Sequence, residues 1–268
     1  LQSSCMNTDE YFSIVAVPGL GAHPEESWTW FPPRKRENAR YGAFNWISDP
    51  NGLIKLYPNS RIMLYDFASA WHGSKRVRAT LKSICTVLLD NLLEVRKGGT
   101  QMNRPLIFIG HSMGGLIIAK TICIAKASKE YEPLAICTVG CGFFGTPFHG
   151  TAMAKLGLLY TSVFGQEGYE ALLSFMKNER NDTLDEVTSD FVAICNKFVP
   201  PIDLFCAYEE MEIDASKFVE KATQKAPALL SHQFFKDGAT RLLNKGHSSL
   251  GYGQVSITSC ISHNCLTP

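Results

Sequence analysis

Residues 105–120 read PLIFIGHSMGGLIIAK, two short apolar runs separated by the pentapeptide GHSMG. The first run has the length and composition of a buried strand, and the second is typical of a buried helix. A strand that turns at once into a helix around G-x-S-x-G is a nucleophile elbow, in which the serine is held in a strained backbone conformation. Gly110 and Gly114 leave the space that such a turn needs. The stretch therefore predicts that Ser112 is a nucleophile exposed above one end of a sheet.

Two backbone N–H groups are candidates for binding the negative charge that forms when a serine attacks a carbonyl. The N–H of Met113, directly after the serine, would point to the place where that oxyanion forms. The second candidate is the N–H of Leu20, in the turn PGLG at 18–21 that follows the apolar run SIVAV. An ordinary turn at the end of a strand is the alternative interpretation of these glycines.

A serine hydroxyl also needs a general base within hydrogen-bond reach and an acid that orients the base. In folds built around a G-x-S-x-G elbow the chain order is serine, acid, histidine. His247 lies in a glycine-flanked loop after the last expected strand, which is where that order places the base. His149, in the turn TPFHG, is better interpreted as a structural or pocket-lining residue. A surface-loop histidine is the alternative for His247.

The acid is expected just past the apolar run IDLFCAY, where Glu209 and Glu210 follow. Successive residues of an extended segment point to opposite sides, so only one of them can face His247. Asp203 lies at the other end of the same run and is excluded. The residues alone leave open which glutamate is the acid, and also whether both are surface charges.

The other apolar runs alternate between strand-like and helix-like segments. Five strands are predicted at 13–17, 61–65, 106–109, 135–140 and 202–208, and a short sixth one at 228–231. Amphipathic or apolar segments at 75–97 and 113–127 predict helices between them. This alternation predicts an α/β fold, with a mostly parallel sheet of about six strands flanked by helices.

Residues 151–199 interrupt the alternation with three helical patterns, at 153–164, 169–177 and 184–198. An insertion after the fourth strand would sit at the end of the sheet that carries Ser112, so the segment is predicted to form a helical cap. Extra helices packed against the sheet are the alternative. The expected domain organisation is an N-terminal extension at 1–11, an α/β domain at 12–255 and a poorly ordered tail at 256–268.

Composition limits the class of function. The 268 residues are 45% apolar and carry a formal net charge of +1, which gives no global field for nucleic acid or anionic lipid. The nine cysteines include no C-x-x-C pair, so zinc and redox motifs are disfavoured and a reducing, cytoplasmic location is expected. Neither a secretory signal nor an apolar stretch of membrane-spanning length is visible. No cofactor or metal is expected.

The motifs resemble a known family when they are taken in chain order. VPGLGAHPEESWTW, RIMLYDF, PLIFIGHSMGGLIIAK, GCGFFGTPFHGT, FCAYEE and NKGHSSL resemble the lipase-like (SesB-type) α/β-hydrolase domains at the N-termini of fungal NLR-like proteins, a group that includes eukaryotic proteins with a serine active site domain. The resemblance implies an α/β-hydrolase fold, Ser112 as nucleophile, His247 as base and Glu209 as acid. Pro18 stands where the family has histidine, and Gly246 where it often has aspartate.

These features together predict a serine hydrolase that cleaves a carboxylic ester in the manner of a lipase or esterase, with a small-molecule or lipid ester as substrate. Acyl transfer would use the same residues. The alternative is a hydrolase-like N-terminal effector or interaction domain of an NLR-type receptor with little or no turnover. The resemblance also implies nucleotide-binding and repeat domains downstream in a longer chain.

Overall fold

The computed structural model describes residues 12–20, 24–30, 42–67, 80–98, 101–149, 170–176, 182–209 and 255–259. The strands are β1 (Ser13–Val17), β2 (Thr29–Trp30), β3 (Phe44–Asn45), β4 (Arg61–Leu64), β5 (Leu106–His111), β6 (Thr138–Phe144), β7 (Asp203–Glu209) and β8 (Val255–Ser259). The α-helices are α1 (Leu53–Leu56), α2 (Leu81–Val95), α3 (Met113–Ala127), α4 (Glu132–Cys137), α5 (Glu170–Phe175) and α6 (Asp182–Lys197).

Six strands form one sheet in the order β4-β1-β5-β6-β7-β8. The first five are parallel, and β8 pairs antiparallel with β7. The parallel strands correspond to the five apolar runs of the sequence, so the predicted α/β fold with a mostly parallel sheet is confirmed. Since parallel strands end at the same edge, the residues that follow β1, β5, β6 and β7 all lie at one end of the sheet.

The main core lies between the sheet and the helices α2, α3 and α6. Leu106 and Phe108 of β5 are buried in this core, while the alternate residues of the strand are less buried. Phe191 of α6 meets Phe143 of β6 edge to face, with the ring centroids 5.7 Å apart. Each fully buried side chain of this size stabilises the fold by about 1.5–3 kcal/mol, so this layer is the main source of cohesion.

A smaller core lies on the opposite face of the sheet. Ala16 of β1 packs there with Trp28 and Ile47, and the indole of Trp46 meets that of Trp28 edge to face at 5.6 Å. Trp28 directly precedes β2 and Trp46 directly follows β3, the two strands of a short antiparallel ribbon. This ribbon therefore covers the sheet near the strand that leads into the PGLG turn.

Two elements begin later than the sequence predicts. The helix expected from residue 75 begins at Leu81, because Thr80 and Ser83 form a capping box in which each side chain bonds the backbone of the other. The strand expected from residue 135 begins at Thr138. Here the apolar residues after Pro133 continue a short helix, since proline is well suited to the first helical turn.

Within the segment predicted to form a cap, α6 belongs to the helix layer that covers the sheet. Helix α6 lies along α3, and its apolar stripe of Val187, Phe191 and Cys195 is buried in the main core. The Ile202 N–H donates to the Cys195 carbonyl at 3.2 Å, which ties α6 to the start of β7. For α6 the alternative, a helix packed against the sheet, is therefore the better description. The helix expected at 153–164 lies outside the described residues.

The C-terminal strand also differs from the sequence expectation. Residues 256–259 were placed in a poorly ordered tail, whereas Val255–Ser259 pairs with β7 as β8. Val255 and Ile257 alternate with the polar residues Ser256 and Thr258, a pattern that suits an edge strand, and the pairing satisfies backbone groups of β7. The sixth strand expected at 228–231 lies outside the described residues. None of the described helices is long and apolar enough to cross a membrane.

The six cysteines that the structure describes are all free thiols. Burial raises the pKa of the Cys85 and Cys195 thiols to about 12 and that of the Cys206 thiol to about 11. Burial also raises the pKa of Cys141, which lies in the same core. These four cysteines are apolar core residues, and the raised pKa disfavours the thiolate, which is the nucleophilic form.

We expect these four thiols to resist alkylation until the protein unfolds. At pH 8 a thiol with a pKa of 11 to 12 is ionised in only about one molecule in 10³ to 10⁴, and burial blocks the reagent as well. The measurement is peptide mass spectrometry after treatment with iodoacetamide, with and without 6 M guanidinium chloride. Peptides that contain Cys85 or Cys195 should be modified only in denaturant. Equal modification rates in both conditions would contradict the burial.

Candidate active site

Ser112 occupies the sharp turn between β5 and α3. Its backbone has a φ of 52° and a ψ of −124°, and it is the one non-glycine residue with positive φ in the described part of the chain. Such a conformation costs about 1–3 kcal/mol and persists only where the surrounding structure enforces it. The Ser112 N–H donates to the Phe144 carbonyl at 2.8 Å, and the Gly115 N–H donates to the Ser112 carbonyl at 3.1 Å. The predicted elbow is thus held from both sides.

A close backbone contact brings the first turn of α3 onto the end of β1. A Cβ atom at Gly114 would lie 2.1 Å from the Val17 carbonyl oxygen and 2.6 Å from that of Pro18. Since real Cβ atoms essentially never approach below 3.0 Å, only glycine allows this approach. The elbow helix is therefore pressed against the strand that leads into the PGLG turn.

The PGLG turn lies directly beside the serine. A Cβ atom at Gly19 would lie 3.2 Å from the Ser112 Cβ and 3.3 Å from the His111 Nδ1. Leu20, the next residue, is partly buried against the main core. The PGLG turn and the segment around Ser112, which the sequence predicts to supply the two oxyanion donors, are therefore neighbours in space.

Met113 begins helix α3 immediately after the serine. The first N–H groups of a helix have no carbonyl partner within it, and the helix dipole makes this end electropositive. The Met113 side chain is fully buried, so the backbone orientation at this position is firmly held. The arrangement places a backbone N–H group directly next to Ser112.

The candidate acid lies at the same edge of the sheet as the serine. Glu209 is the last residue of β7, and β6 lies between β7 and the elbow strand β5. Two strand spacings place the Ser112 and Glu209 backbones about 10 Å apart across the sheet. Asp203 begins β7 at the opposite edge, as its exclusion required. Glu210 and His247 lie outside the described residues, and the assignments of Glu209, Glu210 and His247 all stay predictions.

The residues alone predict no role for Phe144, Gly145 and Thr146, at the end of β6 and directly after it. The Phe144 carbonyl accepts from Ser112, and the Gly145 N–H donates to the Ala207 carbonyl at 2.8 Å. The side chain of Thr146 lies against the Cα of Gly115, where an added Cβ would be 2.0 Å from the Thr146 Oγ1. The run GFFGTPFHG after an apolar strand indicates a turn at this place. It does not predict the contact between Gly115 and Thr146, which lie 31 positions apart in the sequence.

Two described histidines have no assigned role in the predicted triad. His149 is exposed on the turn after Phe148. His111 ends β5, and its ring faces that of Trp28 at a centroid distance of 6.5 Å. Within the described ranges, no group of three or more His, Cys, Asp or Glu side chains could hold a metal ion.

Part of the chain is similar to curated proteins named Protein SERAC1. The identity is 32% over 101 residues for the Danio rerio protein, 33% over 106 residues for that of Mus musculus and 34% over 106 residues for that of Homo sapiens. The matched segment covers 37% to 38% of this chain but only 15% to 16% of each relative. No family model matches the sequence.

Solved structures of two hydrolases are similar in part. A metagenomic carboxyl esterase gives a TM-score of 0.40 and 17% identity, over 62% of this chain and 42% of that chain. Phospholipase PlaB from Legionella pneumophila gives a TM-score of 0.48 and 14% identity, over 74% of this chain and 38% of that chain. The chain's own strand order and its serine elbow at the end of β5 are those of an α/β-hydrolase fold, as the sequence predicted.

The contact at Gly114 predicts a steep cost for a single added methyl group. Gly114→Ala should lower the free energy of unfolding by about 3 kcal/mol or prevent folding, because backbone atoms of β1 cannot move aside. Urea denaturation measures the change. The matched control is Gly142→Ala on β6, where an added Cβ would meet its nearest atom at 3.7 Å, an ordinary contact. Similar losses in both variants would contradict the proposed packing of α3 on β1.

Proposed function

We propose that this chain is a serine hydrolase that cleaves a carboxylic ester, in the manner of a lipase or esterase. The observation that carries the proposal is the strained backbone of Ser112 at the start of α3, with the Gly19 turn packed against it. Strain of this kind has to be stabilised by the rest of the fold, and it aims the hydroxyl away from the sheet. A serine with a purely structural role has no need of it.

The proposed reaction passes through an acyl-enzyme. The Ser112 Oγ attacks the ester carbonyl carbon while the His247 imidazole takes the hydroxyl proton, and Glu209 orients that imidazole. The tetrahedral intermediate then collapses and expels the alcohol, which receives the proton from His247. Water, deprotonated by His247, attacks the acyl carbon and releases the carboxylic acid and the free serine. An alcohol in place of water would give acyl transfer with the same residues.

The oxyanion is proposed to bind between two backbone donors, the N–H groups of Met113 and Leu20. The packing of Gly19 on the Ser112 Cβ and the location of Met113 at the start of α3 support this assignment. Backbone donors need no reorganisation during the reaction, and losing one such donor typically costs about 10²–10³ in kcat.

The cellular context is also a proposal. The family resemblance supports a SesB-type N-terminal domain of an NLR-like receptor, with nucleotide-binding and repeat domains as its covalent partners. The chain covers only 15% to 16% of the matched Protein SERAC1 chains, which is compatible with a domain of a longer protein. The buried free thiols are compatible with a reducing compartment such as the cytoplasm.

The first test is covalent labelling of the serine. A fluorophosphonate probe should label the wild-type protein, and Ser112→Ala should abolish the labelling, because the probe reacts with an activated serine hydroxyl. The labelled peptide is identified by mass spectrometry. Ser48→Ala, an exposed serine on the turn after β3, is the matched control and should label like the wild type. An unlabelled wild type, under conditions that label a known esterase, would overturn the hydrolase proposal and favour a non-catalytic interaction domain.

A second test assigns the acid. Glu209→Gln should lower kcat on a short p-nitrophenyl ester by about 10³-fold, because an amide at this position cannot stabilise the imidazolium. Glu210→Gln is the matched control and should change kcat by less than about threefold. His247→Ala should be as damaging as Ser112→Ala, since residues that act as a unit are not additive. A selective loss in Glu210→Gln would reassign the acid to that residue.

A further inference from the structure

We propose that Thr146 is a positioning residue. By its contact with Gly115 it fixes the position of the first turn of α3, and thereby the orientation of Ser112 and of the Met113 N–H. The inference rests on the proposed function, since it concerns the same serine. It assigns a role to a residue that does not touch the reacting atoms. Four observations lead to it.

The first observation is that the end of β6 and the residue after it bond to both neighbouring segments, the elbow at Ser112 and the strand β7. Phe144, the last residue of β6, accepts from the Ser112 N–H at 2.8 Å. Gly145 donates to the Ala207 carbonyl on β7, also at 2.8 Å and two residues before Glu209. Gly145 has a φ of +55°, so the chain turns sharply here. This turn places Thr146 against the first turn of α3.

The second observation is the contact itself. A Cβ atom built on Gly115 would lie 2.0 Å from the Thr146 Oγ1, 2.5 Å from its Cγ2 and 2.8 Å from its Cβ. The whole end of the threonine side chain therefore rests on the Gly115 Cα. On the other side of Gly115, a Cβ atom at Gly110 would lie 2.7 Å from the Gly115 Cα. Gly115 is thus held between the end of β5 and Thr146.

The third observation is that this contact is packing and not a hydrogen bond. The Thr146 Oγ1 is buried and has no hydrogen-bond partner among the residues that the structure describes. A buried hydroxyl without a partner costs about 1–3 kcal/mol. The Thr146 side chain therefore acts at this position through its shape and not through its hydroxyl hydrogen bond.

The fourth observation is that Thr146 is itself anchored and that Gly115 leads directly to the serine. The Phe148 N–H donates to the Thr146 carbonyl at 3.0 Å, and the Phe148 ring is buried against Phe143 at a centroid distance of 5.1 Å. The Gly115 N–H donates to the Ser112 carbonyl at 3.1 Å. Thr146 is therefore held in place where it packs against Gly115, and Gly115 is hydrogen-bonded to the Ser112 backbone.

The experiment compares three substitutions by steady-state kinetics on p-nitrophenyl acetate and by the rate of fluorophosphonate labelling. Thr146→Ala opens a gap above Gly115 and should lower kcat and the labelling rate about tenfold with KM little changed, since small misplacements of reacting groups are costly. Thr146→Val restores the shape without the hydroxyl and should recover most of that loss. Thr86→Ala on α2 is the matched control and should behave like the wild type.

A pair of variants tests the contact directly. Gly115→Ala alone should lower both the melting temperature and the labelling rate, because its methyl group would overlap Thr146. Adding Thr146→Ala should raise both part of the way, since it removes the atoms at 2.0 and 2.5 Å and leaves the Thr146 Cβ at 2.8 Å. Each change alone is harmful. Such non-additivity is expected only of residues in contact.

The outcomes separate the two proposals. If the wild type is not labelled, the proposed function fails and this inference fails with it. If the wild type is labelled and Thr146→Ala is labelled equally fast, the inference alone is overturned. It is also overturned if Thr146→Val is as slow as Thr146→Ala, which would mean that the hydroxyl acts chemically, or if Thr146→Ala gives no relief to Gly115→Ala.

Discussion

The rest of the site depends on one contact. At Gly114 the backbone of α3 packs directly against the carbonyls of Val17 and Pro18, at the end of β1. It leaves no space for a Cβ atom, so the first turn of α3 rests on Val17 and Pro18 themselves. Because the PGLG turn starts at that point, the same contact brings Gly19 to the serine. A helix placed one side chain farther away would separate the two segments that could bind an oxyanion.

The positive φ of Ser112 shows how this arrangement is maintained. A non-glycine residue in this conformation is unfavourable by about 1–3 kcal/mol, which is a sizeable part of the stability of an ordinary domain. Hydrogen bonds at both its N–H and its carbonyl, and the buried first turn of α3, offset that cost. The strain is local, whereas the stabilising contacts come from β6 and from the main core.

Sequence predicted the parts of this molecule that depend on local pattern. The strands β1 and β5, the helix α3 and the serine between them follow from short apolar runs and from the spacing of glycines. The start of β6 was predicted too early, because an apolar run does not distinguish a strand from the last turn of a helix. The location of α6 required tertiary contacts with α3, and so did the role of Thr146. The choice between Glu209 and Glu210 depends on which side of β7 faces the base, and no periodicity in the sequence sets that.

β6 contributes no proposed catalytic residue, but it connects the two strands β5 and β7 that lead to Ser112 and Glu209. β6 lies between the strand of the nucleophile and the strand of the candidate acid, and its last residues bond to both. Phe144 accepts from Ser112, Gly145 donates to Ala207, and Thr146 supports Gly115. A shift of the β6 exit would therefore move the serine and the end of β7 together. In the proposed triad the spacing between Ser112 and Glu209 has to match one imidazole, and coupling both to a single turn would hold that spacing.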